Sequence, residues 1–138
     1  MKFGDKVKDL RKQKQMKQEE LAAALGVSTR TIIYYEQGKL YPRKRERYHK
    51  LAEIFGVELN YLLTEDEEFL TEAGEKYGRR GQTQAQDILE RTSALFAGGE
   101  LSDVDQLAFI HEIQRLYFDS KERAREKFTP KKYRKAGA

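Results

Sequence analysis

Four residues spaced over one and a half helical turns, Thr29, Arg30, Ile33 and Tyr34, suit the recognition of a flat polar edge. The Arg30 guanidinium can donate two parallel hydrogen bonds to guanine O6 and N7, the commonest specific contact between a side chain and a base. Thr29 lies at a helix start, where a short side chain reaches a base edge. Tyr34, one turn on, can contact a base edge or stack against a sugar. Ile33 suits a thymine methyl group, and a merely tolerated surface isoleucine fits that position equally well. Thr31, Lys39, Tyr41, Arg43, Lys44 and Arg45 flank this set and are candidates for phosphate oxygens, contacts that position a protein on DNA and carry little sequence information.

Chemistry that turns over a substrate finds no comparable set. The chain has no cysteine and two histidines, His49 and His111, which lack metal-ligand spacing. No nucleophile elbow or phosphate-cradling glycine loop occurs. Neighbouring acids such as Glu67 and Glu68 are read as solvated charge. No enzyme activity, cofactor or metal is expected.

The recognition set needs elements to hold it, and QEELAAALGVSTRTIIYYEQ (residues 18–37) supplies two short helices joined by a tight turn. Leu21, Ala22 and Leu25 share one face of the first. Gly26 can turn the backbone left-handed, and Ser28 is a good N-cap for the second helix, which directs Ile32 and Tyr35 inward. The opposite face then presents Thr29, Arg30, Ile33 and Tyr34, as a helix entering a DNA major groove does. Residues 5–14 are expected to form a helix before this pair, with Val7, Leu10 and Phe3 inward. Residues 44–55 form one after it, with Tyr48, Leu51, Ala52 and Phe55 on one stripe, and Leu59 to Leu63 close the core.

These landmarks, with LRKQK, YYEQGKLYP and LAEIFGVELNYLL, make residues 3–64 resemble the Cro/repressor-like (Xre-type) helix-turn-helix regulators. The resemblance covers somewhat under half of the chain and implies a five-helix DNA-binding domain. It also implies an ion pair between Arg11 and Glu36, a phosphate contact for Gln18, and binding to two half-sites as a dimer. Lys17 and Glu58 stand where Ser or Thr usually caps a helix, departures that weaken those helix ends by ~1 kcal/mol each.

Charge divides along the chain. Residues 1–64 carry 14 Lys/Arg against 8 Asp/Glu, residues 65–120 carry 5 against 13, and residues 121–138 carry 8 against 2. A basic head of this kind is the footprint of nucleic-acid binding. The acidic TEDEEF places a domain boundary after Thr64, with 65–81 as linker or short element. Phe69, Leu70, Ala73 and Tyr77 fit either a helical stripe or a short strand followed by a helix start. Gly78 and Gly81 read as a hinge or turn.

A helical hairpin follows over 82–128, turning at Gly98-Gly99 with Ser102 capping the second arm; residues 129–138 form a basic tail, expected to be mobile, that touches DNA or simply solubilises. On the second arm Leu107, Phe109, Ile110, Ile113, Leu116, Tyr117 and Phe118 spread over ~200°, more than one neighbouring helix covers. Either the surplus packs on 65–77 or a second copy meets it, and a homodimer through this arm is the reading favoured. The fold class is therefore all-α: a five-helix repressor-like domain followed by a helical hairpin. The expected function is a cytoplasmic homodimeric transcriptional regulator, a repressor that binds double-stranded DNA and no membrane. The alternative is a DNA-binding antitoxin whose hairpin grips a partner protein.

Overall fold

The computed structural model describes residues 1–128, and all the regular structure among them is helical. The tail 129–138 lies outside the described residues. Seven helices follow in order: α1 (Phe3–Gln13), α2 (Gln18–Leu25), α3 (Thr29–Glu36), α4 (Arg45–Phe55), α5 (Leu59–Leu62), α6 (Glu65–Phe96) and α7 (Asp103–Phe128). No helix among the described residues is long and apolar enough to cross a membrane. The helices divide between two units, residues 1–89 and 90–138.

The first five helices form where periodicity places them, because their apolar stripes close on one another. Phe3, Val7, Leu10, Leu21, Leu25, Ile32, Tyr35, Tyr48, Leu51, Phe55 and Leu62 make one buried cluster. Phe3 is its aromatic centre, with ring centroids 5.7 Å from Tyr35 and 5.2 Å from Tyr48. Beside it, Gly4 lets α1 cross α3 closely: a Cβ on Gly4 would lie 2.3 Å from the Tyr35 carbonyl oxygen. Gly26 turns left-handed (φ 80°) between α2 and α3, and Ser28 Oγ accepts from the Thr31 backbone N–H at 3.2 Å. The weak cap at Lys17 is compensated, since its backbone N–H donates to the Glu20 carboxylate at 3.0 Å. Glu58 makes no side-chain cap, and α5 is a single turn.

Past Thr64, of the alternatives open for residues 65–77, the helical stripe is the one observed. Residues 65–77 are helical, and Phe69, Leu70, Thr71 and Ala73 are buried within the first unit, which runs on to Leu89. The helix starts cleanly because the Glu67 carboxylate folds back to accept from the Thr64 backbone N–H (3.1 Å) and hydroxyl. Glu67, read as solvated, is only 6% exposed. Burying three apolar side chains of that stripe contributes ~1.5–3 kcal/mol for each large one, which outweighs the repulsion among the neighbouring acids.

At Gly78 the helix breaks direction. Its φ of 74° and ψ of −164° are accessible to glycine and strained for other residues. Beyond the kink, Gly81, Gln82 and Ala85 are buried, and Gln82 Nε2 donates to the Pro42 carbonyl oxygen at 3.1 Å. Gln86 Nε2 reaches the Gly38 carbonyl oxygen at 3.5 Å. The hinge or turn expected here is a bend at Gly78, and its outgoing arm is hydrogen-bonded to the loop between α3 and α4.

The second unit joins the end of α6 to α7. Phe96 and Phe109 meet edge to face, 5.6 Å between centroids, and Ser102 Oγ accepts from the Asp105 backbone N–H at 3.2 Å. No residue of 103–127 is fully buried. Leu107, Phe109 and Leu116 are exposed, as are Leu101 and Val104, while Ile110, Ile113 and Tyr117 are half-buried.

Candidate nucleic-acid interface

Helix α3 is aimed by a largely buried ion pair. Arg11 Nε and Nη2 donate to the two carboxylate oxygens of Glu36 at 2.7 and 3.0 Å, the parallel geometry that a guanidinium fork favours. Arg11 Nη1 donates to the Met16 carbonyl oxygen at 2.9 Å, so one side chain ties α1, the turn before α2 and the end of α3 together. The side chains are 11% and 4% exposed. The hydrogen bond to Glu36 raises the Arg11 pKa above its ordinary value, so the guanidinium stays charged. A second tie is Arg47 Nη1, which donates to the Tyr35 hydroxyl at 3.2 Å. Burial raises the Tyr35 pKa, and the phenol remains neutral.

With Ile32 and Tyr35 held inward, the opposite face of α3 is open. Arg30 is exposed, and its side chain has no hydrogen bond or ion pair with the described residues. Tyr34 is 37% exposed, with the Lys39 ammonium 5.9 Å from its ring centroid. Thr29 and Ile33 are half-buried, closer to the helix surface than a fully presented pair would be. The four lie on one side of a short helix, with Arg30 and Tyr34 the exposed pair.

The candidate phosphate contacts separate into free and occupied groups. Arg43 and Lys44 are exposed with side chains free among the described residues, and Lys39 is exposed beside Tyr34. Tyr41 is half-buried against Phe3, 5.7 Å between ring centroids. Thr31 Oγ1 lies 3.0 Å from Ser28 Oγ as part of the α3 cap. Gln18 Nε2 donates to Glu36 at 3.3 Å, so its amide completes the ion-pair node; at the start of α2 the Gln18 backbone N–H remains the better anion donor. Arg45 departs most from expectation. Its guanidinium pairs with Glu68 and lies 3.7 Å from Glu75, and Glu75 also accepts from the Arg45 backbone N–H at 3.4 Å. The hydrogen bond to Glu68 raises the Arg45 pKa. Acids that reached this loop only through the packing of α6 have claimed the cation.

Two short helices crossing at a glycine turn, the second presenting an unoccupied arginine beside a cationic loop, define a helix-turn-helix DNA-binding module. The comparisons with known proteins agree. A family model described as a helix-turn-helix domain matches residues 4–68. The chain is 38% identical over 65 residues to the Cryptic phage CTXphi transcriptional repressor RstR of Vibrio cholerae; the match takes in 47% of this chain and 58% of that protein. It is 37% identical over 67 residues to an uncharacterised HTH-type transcriptional regulator of Archaeoglobus fulgidus, covering 49% of this chain and 93% of that one. A regulator of the same description from Methanocaldococcus jannaschii is 40% identical over 65 residues, 97% of its length. No solved structure matches the chain significantly. The chain belongs to the HTH-type, Xre-like transcriptional regulators, and is a DNA-binding transcriptional regulator.

Proposed function

We propose that this regulator is a homodimeric repressor that reads a two-fold symmetric operator through α3 and blocks transcription by occupying it. The observation that carries the reading is the state of Arg30: exposed and uncommitted on the open face of a helix that is otherwise fixed by its partners. Arg30 reads a guanine, with Thr29, Ile33 and Tyr34 contacting neighbouring bases or sugars. Lys39, Arg43 and Lys44, with the N-termini of α2 and α3, hold the phosphates. The Vibrio cholerae relative is a transcriptional repressor by name, which supports repression over activation.

Dimerisation through α7 is supported by its apolar face. Residues 65–77 spend their apolar stripe within the first unit, while Leu107, Phe109 and Leu116 remain 46%, 38% and 43% exposed in the single chain. Exposed apolar side chains at this density on one helix mark an association surface, and a second copy supplies an identical face under two-fold symmetry.

The test is selection of bound duplexes from a random pool, followed by light scattering of the free protein. Inverted half-sites about one helical turn apart, centre to centre, together with a dimeric mass, are the expected result. A monomer that becomes soluble and stable only with a partner protein would favour the antitoxin reading instead.

A further inference from the structure

Two cations in the acidic middle of the sequence have no acid to answer them. Arg79 and Arg80 follow the kink in α6, are exposed, and their side chains make no hydrogen bond or ion pair with the described residues. The acids of the preceding arm are engaged elsewhere: Glu68 and Glu75 with Arg45, Glu72 with Lys76 at 3.0 Å, and Glu67 at the start of α6.

Their position follows from the docking of α6 on the loop that leaves the recognition helix. Gln82, 7% exposed, is hydrogen-bonded to Pro42, and Gln86 one turn further reaches Gly38. Arg79 precedes Gln82 by three residues and so shares its side of the helix, at the loop's edge. Gly78 lies against the Arg43 guanidinium; a Cβ there would be 3.5 Å from Arg43 Nη2. Arg43 and Lys44 of that loop are likewise exposed, with side chains unpaired among the described residues. Exposed cations with no ion-pair partner of their own remain available to a polyanion.

We propose that Arg79 and Arg80 are a second DNA-backbone contact, binding phosphates that flank the half-site beyond the reach of the helix-turn-helix itself. The site lies outside the residues matched by the family model, and the proposal rests on the reading of the chain as a DNA-binding protein. In this arrangement Gly78 sets the angle at which the pair is presented, and Gln82 fixes it to the loop.

The test uses the full chain with Arg79→Ala and Arg80→Ala together, and titrates a random-sequence duplex and a pool-selected duplex over a range of salt concentrations. Each phosphate contact contributes about 0.9 to the slope of log K against log salt. The double variant should therefore lower the slope by about one to two on both duplexes, and leave the ratio of specific to random affinity unchanged. The Arg79→Lys, Arg80→Lys pair should restore the slope, because a phosphate accepts either cation. Thermal unfolding of the variants should match the parent, both positions being exposed. A parent that binds duplex with an unchanged slope in the alanine variant would overturn this site and leave the wider reading intact. A parent that binds neither duplex would overturn both.

Discussion

Removing Arg11 tests how firmly the recognition helix is held. In Arg11→Ala the Glu36 carboxylate, 4% exposed, loses both guanidinium bonds and keeps only the Gln18 amide at 3.3 Å. The Met16 carbonyl oxygen loses its 2.9 Å donor as well. Leaving one partner of a buried pair behind costs about 3–5 kcal/mol, a large share of the roughly 5–15 kcal/mol that stabilises a domain. For a unit of this size each kcal/mol moves Tm by about 4–8 °C, so a fall of at least about 12 °C is expected. The chain has no tryptophan and 8 tyrosines, so far-UV dichroism in urea is the direct assay. Replacing the pair together, Arg11→Met with Glu36→Leu, should recover much of the loss, since no charge is then stranded. A cost below about 1 kcal/mol for Arg11→Ala, typical of a solvated surface pair, would refute the account of how α3 is positioned.

Three further outcomes follow from particular contacts. Gly78→Ala should cost about 1–3 kcal/mol, because alanine does not tolerate the kink's backbone angles; undiminished stability on urea denaturation would mean that the bend is dispensable. Arg45→Ala should leave the salt dependence of DNA binding nearly unchanged, while Lys44→Ala should lower its slope by about one; equal effects would show that Glu68 and Glu75 do not hold Arg45. Leu107→Glu and Leu116→Glu should each convert the proposed dimer to monomer by light scattering without unfolding the first unit; a variant of unchanged dimeric mass would remove α7 from the interface.

The helix-turn-helix was legible in the sequence because each of its signals is local. The apolar spacing of α2, the glycine turn and the Ser28 cap all act within a few residues, and the structure places each as read. The ion pair of Arg11 and Glu36 came from family resemblance, and the structure shows both side chains in contact.

What lay beyond Thr64 was harder to read for a physical reason. The run of acids resembles a solvated linker, and only its contacts with Arg45 of α4 and with the loop between α3 and α4 reveal a structural helix. One local signal was nonetheless present: Thr64 followed three residues later by Glu67 is a capping pattern, and it marks where α6 begins. No local signal distinguishes Arg45 from Arg43 or Lys44, because its acidic partners lie 23 and 30 residues further along. The docking of Gln82 on Pro42 spans 40 residues and is equally invisible to periodicity.

The central claim is that Arg30 reads a base. The measurement that tests it most directly is the affinity of Arg30→Ala for the pool-selected duplex and for random duplex at one salt concentration. A loss of about 1–3 kcal/mol on the selected duplex alone, with relaxed preference at a single base pair, is the predicted result. Equal losses on both duplexes, or none on either, would contradict it.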